Sequence, residues 1–252
     1  MNSTISIRPA VGKPGMVSPT GHEEYKRAHA KTNLPAGRVV VWDASEDGFA
    51  KLPGAFPAST PVVSGAVATT TGAATLTLVA GPQPFAAKVQ FDLSAEADFE
   101  ATSPFVVSGL SPFGDVQTEV VFAVSGGDAV VETEHLYSHV SSIVAGPFGG
   151  TDGSFEVAYG APEAFASNAI AGLVVAKEFQ ELTTQANQDE IFTLMASGDM
   201  FVPLASAATL YAPVGVNAAG EVGVVGAGFL PLPKAQHLVA GTSGSLGKVE
   251  VK

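Results

Sequence analysis

The chain has 252 residues, 46% of them hydrophobic, which is ample for a core and argues against disorder throughout. Twelve Lys+Arg against 24 Asp+Glu leave a net charge of −12, a poor balance for broad nucleic-acid binding, where cations must displace counterions. Cysteine is absent, which excludes disulfides, thiolate nucleophiles and zinc–sulfur centres.

The charge is uneven along the chain. Residues 1–38 carry six basic residues (Arg8, Lys13, Lys26, Arg27, Lys31 and Arg38) against Glu23 and Glu24, and the remainder is strongly acidic. Pro9, Gly12, Pro14, Gly15, Pro19 and Gly21 punctuate residues 1–36. This predicts an extended N-terminal arm, with Pro9 and Pro14 holding it open. One short helix is expected over His22 to Lys31, capped by Thr20. The opening residues Met1 to Ile5 lack an apolar leader core. No apolar run reaches the roughly 18 residues that a membrane-spanning helix needs.

From Gly37 the texture turns to β. Arg38-Val39-Val40-Val41-Trp42 predicts a strand, followed by a turn over Asp43 to Gly48. The Pro- and Gly-rich stretch 53–65 reads as a connection. Alternation then predicts strands over residues 75–80, 87–93, 105–110, 117–124, 129–133, 140–144 and 154–159. Ser125-Gly126-Gly127-Asp128 is expected to close a hairpin between the fourth and fifth of these. Short strands at this spacing, with no room for crossover helices, point to a β-sandwich.

In the C-terminal part, Ala171 to Ala176 is an apolar run. Glu178, Phe179, Glu181 and Leu182 suit a helical turn. Ile191 to Met195 and Met200 to Leu204 are expected to pair as a hairpin through Ser197-Gly198-Asp199. Leu210 to Val216 and Glu221 to Val225 are expected to pair through Asn217-Ala218-Ala219-Gly220. Residues 229–232 and 248–251 complete the set.

Few residues suggest chemistry. His135 and His139, beside Glu132 and Glu134, read as surface or edge groups rather than metal ligands. Carboxylate pairs such as Asp98/Glu100 and Glu132/Glu134 read as solvated. Asp128, Asp152 and Asp199 read as turn caps. The glycines of 223–228 and the 242–249 segment miss the spacing of nucleotide-binding loops. No catalytic residue, cofactor or metal is expected. Trp42 reads as a core or rim anchor, or an interface anchor.

Several short motifs resemble the structural cement (capsid decoration) proteins of tailed bacteriophages. They are Ile5 to Met16, Ala36-Gly37-Arg38-Val39-Val40-Val41, Ile191 to Val202, Val214-Gly215-Val216-Asn217 with Gly220, and Ser245 to Val251. In the middle, Ala74-Thr75-Leu76-Thr77-Leu78, Thr118-Glu119-Val120-Val121 and Gly149-Gly150-Thr151-Asp152-Gly153 resemble a second phage decoration module. The resemblance implies an all-β chain made of an N-terminal arm (1–36), a small discontinuous β-barrel (37–60 plus 165–252) and an inserted β-sandwich (61–164).

It also implies a non-enzymatic virion protein on the outer capsid surface. The partners would be the major capsid protein and neighbouring copies in a trimer, with neither nucleic acid nor membrane. The arm residues Arg8, Pro9, Lys13, Pro14, Lys26, Arg27 and Lys31 are expected to dock on acidic capsid surface. The alternative is an adhesin or carbohydrate-binding sandwich using Phe85, Phe91, Phe99, Phe105 and Phe113 as platforms. A β-fold hydrolase is a third reading.

Overall fold

The computed structural model describes residues 15–18, 23–94, 99–124, 129–176 and 185–252, and these are all β, with no helix. The largest sheet has ten strands. Its order is Ile170–Val174, Val39–Trp42, Phe49–Lys51, Glu24–Ala30, Ile191–Pro203, Leu246–Val251, Leu230–His237, Pro213–Val216 and Val222–Val224, with Val17–Ser18 on the long strand. Ile170–Val174 also pairs Ile191–Pro203, through Leu173 with Met195 and Val174 with Leu194, so the first five strands close on themselves.

The expected helix over residues 22–31 is overturned: Glu24–Ala30 is a strand. Its residues have poor β propensity, but tertiary pairing overrides it. On one side it runs antiparallel to Ile191–Pro203, and on the other parallel to Phe49–Lys51. Ala28 and Ala30 bury themselves against Phe192 and Leu194 in one cluster, a contact that an isolated polar helix of this length would lack. Of the expected arm, Val17–Ser18 and Glu24–Ala30 are thus built into this sheet, and Leu34–Pro35 pairs with Gln185–Ala186 in a separate two-stranded sheet.

The expected hairpin at Ser197-Gly198-Asp199 is also overturned, because Ile191–Pro203 is one strand of 13 residues. A register shift between Met195 and Ser197 and a φ of 120° at Gly198 bend it without reversing it. Its first half pairs Glu24–Ala30 and its second half pairs Leu246–Val251. Val39, Val40 and Val41 are all buried. Val39 and Val41 face one core and Val40 another, so a continuous apolar run marks a strand covered on both faces.

Apart from Phe85–Ala86, which pairs with Ala164–Phe165, the strands of residues 60–159 form separate five- and four-stranded sheets. A single core draws on both, with Phe91 stacked on Phe105 at 4.2 Å and Phe155 edge-on to Phe105 at 5.1 Å. The predicted strands recur here as Val89–Leu93, Pro104–Leu110, Val116–Phe122, Ala129–Glu132, His139–Ala145 and Ser154–Tyr159. The hairpin expected through residues 125–128 does not pair its flanks. Val116–Phe122 joins Pro104–Leu110, whereas Ala129–Glu132 joins Val89–Leu93 in the other sheet. Burial decides this: Phe91 and Phe105 must face each other across the core, so the chain crosses between sheets. Residues 125–128 themselves, and the helical turn expected over 178–182, lie outside the described residues.

The hairpin of Pro213–Val216 with Val222–Val224 forms as expected. The Asn217 carboxamide oxygen accepts from the backbone N–H of Ala219 and Glu221, and Gly220 adopts a positive φ of 70°.

Candidate interaction surface

Of the basic residues expected to dock, Arg8 and Lys13, like Pro9 and Pro14, lie outside the described residues. Lys26 and Arg27 are exposed on the strand Glu24–Ala30. Lys31 follows the strand and pairs with Glu46, with Asp43 at 4.0 Å and the Phe49 ring 5.4 Å below its Nζ. Its charge is therefore partly satisfied within the fold.

Residues opposite each other across a β ladder share a face. Arg27 lies opposite Thr193, and His29 lies opposite Ile191. Tyr25 and Ile191 are more than half exposed, at 53% and 58%. His29 stacks on Phe49 at 5.0 Å. Tyr25 lies opposite the buried Met195, so the open part of this sheet face is Tyr25, Arg27, Thr193 and Ile191, with one cation and one phenol on a chain of net −12. The geometry suits contact with an acidic, partly apolar surface.

Trp42 is half-buried and packs beside the Ala28–Leu194 cluster. Its indole lines a shallow groove of about 250 Å³ with Pro53, Pro82, Pro84 and Asn168. Beside it, the Asp43 carboxylate accepts from Lys51 Nζ at 3.0 Å and from the Ser45 backbone and hydroxyl. These bonds, led by that to Lys51, hold it below the usual Asp range.

Other residues singled out from the sequence do not converge. His135 Nδ1 sits 3.1 Å from Glu119, while His139 belongs to a different strand and its Nδ1 is buried without a partner. Among the described residues no group of His, Asp and Glu is arranged to hold a metal ion. Glu132 bonds Lys88 and Gln90, and Lys88 above all lowers its pKa, the opposite of what a general acid needs. Asp98 and Asp128 lie outside the described residues. Asp199 is not a turn cap: it is buried in the long strand and pairs with Lys248 at 2.8 Å. The aromatic platform loses most of its members, since Phe85, Phe91, Phe99 and Phe105 are buried in cores and Phe113 alone of the five is exposed.

Two features escaped the sequence reading. Val116, Val120 and Phe122 project from an edge strand, 83%, 47% and 54% exposed. Their even spacing along the strand was legible, but which face is covered was not. Lys234 takes a φ of 57°, which no local signal announces.

No protein-family model matches the chain, and a search of the curated proteins finds no relative.

Proposed function

We propose that the chain is a non-enzymatic virion structural protein that decorates the outer surface of a phage capsid and cements its major capsid protein lattice. The observation that carries this reading is the open row of Tyr25, Arg27, Thr193 and Ile191 on an acidic body. Such a row joins cationic steering to apolar contact area, the combination that a docking face needs. The uncharged exposed residues Val116, Val120 and Phe122 add a second contact area, and repetition over a lattice multiplies weak contacts. Neighbouring copies, as a trimer, are part of the reading.

The same proposal takes the chain as a small discontinuous barrel with an inserted sandwich. Two observations support it. Among the described residues, one core draws only on residues 62–159. The strands on either side of that span pair with one another, as in Val39–Trp42 with Ile170–Val174.

Co-sedimentation with expanded capsids that lack a decoration protein tests the function. Saturable binding by the full chain, weakened by R27E and by removal of residues 1–14, is the expected result. Deleting residues 1–36 is not a usable test, because it removes the strand Glu24–Ala30 from the sheet. Absence of binding by the full chain would overturn the reading.

A further inference from the structure

Nine Lys and Arg residues lie among the described residues. Six are in ion pairs: Lys31 with Glu46, Arg38 with Glu221, Lys51 with Asp43, Lys88 with Glu132, Lys248 with Asp199, and Lys252 with Glu250. Lys26, Arg27 and Lys234 make no ion pair among the described residues. In a chain with two acids for every base, a cation without a carboxylate partner stands out.

Lys26 and Lys234 come from strands far apart in sequence and line one groove of about 240 Å³. Lys252 shares its wall but pairs with Glu250, Glu24 is the one acidic side chain among the lining residues, and Ile170 and Pro233 contribute apolar surface. The groove is thus a cationic depression on an acidic protein.

Lys234 reaches this groove from an irregular backbone. Pro213 pairs with Gln236 and Gly215 with Pro231, so the strand Leu230–His237 bulges between those points. At the bulge Lys234 holds a φ of 57°, a left-handed conformation that favours glycine, and its carbonyl accepts from the Lys252 N–H at 3.0 Å. Bulges re-aim side chains. A strained position occupied by an unpaired lysine rather than glycine points to a use for the ammonium.

We propose that this groove binds an acidic peptide segment, with carboxylates held by Lys26 and Lys234 and apolar atoms against Pro233 and Ile170. Two ammonium groups on separate strands suit separate carboxylates along a chain. The groove has room for only a few side chains. The inference rests on the docking reading and adds a second contact to it, since Lys26 lies on the strand face opposite Arg27.

The test is a titration of the ¹⁵N-labelled full chain with a blocked hexaglutamate peptide, followed by NMR. Saturable shifts at the amides of Gly172, Ser197 and Lys234 are expected. K26E and K234E each weaken binding by about threefold or more, whereas K88E, away from the groove, leaves it unchanged. K234G removes the charge at a φ glycine accepts, so it keeps the fold and loses affinity. Shifts confined to other regions, an unchanged affinity in K234G, or an equal response of the same amides to inorganic phosphate would each overturn the proposal. Peptide binding without capsid binding would keep the groove and remove the capsid reading. Capsid binding without peptide shifts would do the reverse.

Discussion

Individual side chains set how this protein responds to pH. His237 is fully buried, its Nε2–H donates to the Gly223 carbonyl at 2.9 Å, and its Nδ1 has no partner. Burial lowers its pKa below the ordinary 6.5, against a smaller opposing effect of the Gly223 bond. The unfolded chain then takes up a proton that the folded chain refuses. Stability from this group is complete above about pH 6.5 and is lost as pH falls from there towards the folded value. Urea unfolding between pH 8 and 5 should show a decline that is smaller in His237→Gln. Asp43 acts in a lower window. Its pKa is depressed below 3.8 in the fold, so its contribution is present above that value and lost as pH falls through the folded one. Asp43→Asn should flatten that acid limb. Lys234→Gly should raise stability by about 1 kcal/mol by relieving the left-handed backbone, read as a shift in urea midpoint.

At the level of elements, the long strand Ile191–Pro203 organises the largest sheet. Where Ile170–Val174 approaches it, Gly172 has a φ of 143°, and a β-carbon there would lie 2.5 Å from the Met195 carbonyl oxygen. Gly172→Ala should therefore cost about 2–3 kcal/mol, measured by urea unfolding. In residues 60–159 the equivalent keystone is Phe105, fully buried and in ring contact with Phe91, Phe148 and Phe155. Phe105→Ala should cost about 3–5 kcal/mol, and a smaller loss would mean the cluster collapses around the gap. The Glu24–Ala30 strand shows why local propensity misled: Lys, Arg and Glu are weak strand formers, but a neighbour on each side supplies the ladder.

At the scale of the whole molecule, residues 62–159 own a core to which no other described residue contributes as a buried member. A fragment of residues 60–160 should unfold cooperatively by itself, with retained near-ultraviolet signal from its packed Tyr137 and Tyr159 rings. The phenols of Tyr137 and Tyr159 are pushed up to about 12 by burial, so absorbance titration of the fragment should show both ionising only above the ordinary tyrosine range. Normal titration would show that this core needs the rest of the chain.

The sequence by itself determined the β class, the positions of most strands and the Asn217–Gly220 turn, because alternation and turn chemistry act over a few residues. It placed Val39 to Val41 in a strand through β-branched residues, and the structure added that both its faces are covered. It also marked Arg27 as a cation available for contact. Tertiary structure alone decided what pairs with what. Phe91 and Phe105 meet across a core, which sends the chain between sheets where a local hairpin was expected. Gly198 bends within one strand because both halves find partners, a pairing set by segments far away in sequence. The groove of Lys26 and Lys234 was invisible for the same reason: side chains separated by some two hundred residues are brought together by long-range ladders, and local patterns carry no record of those.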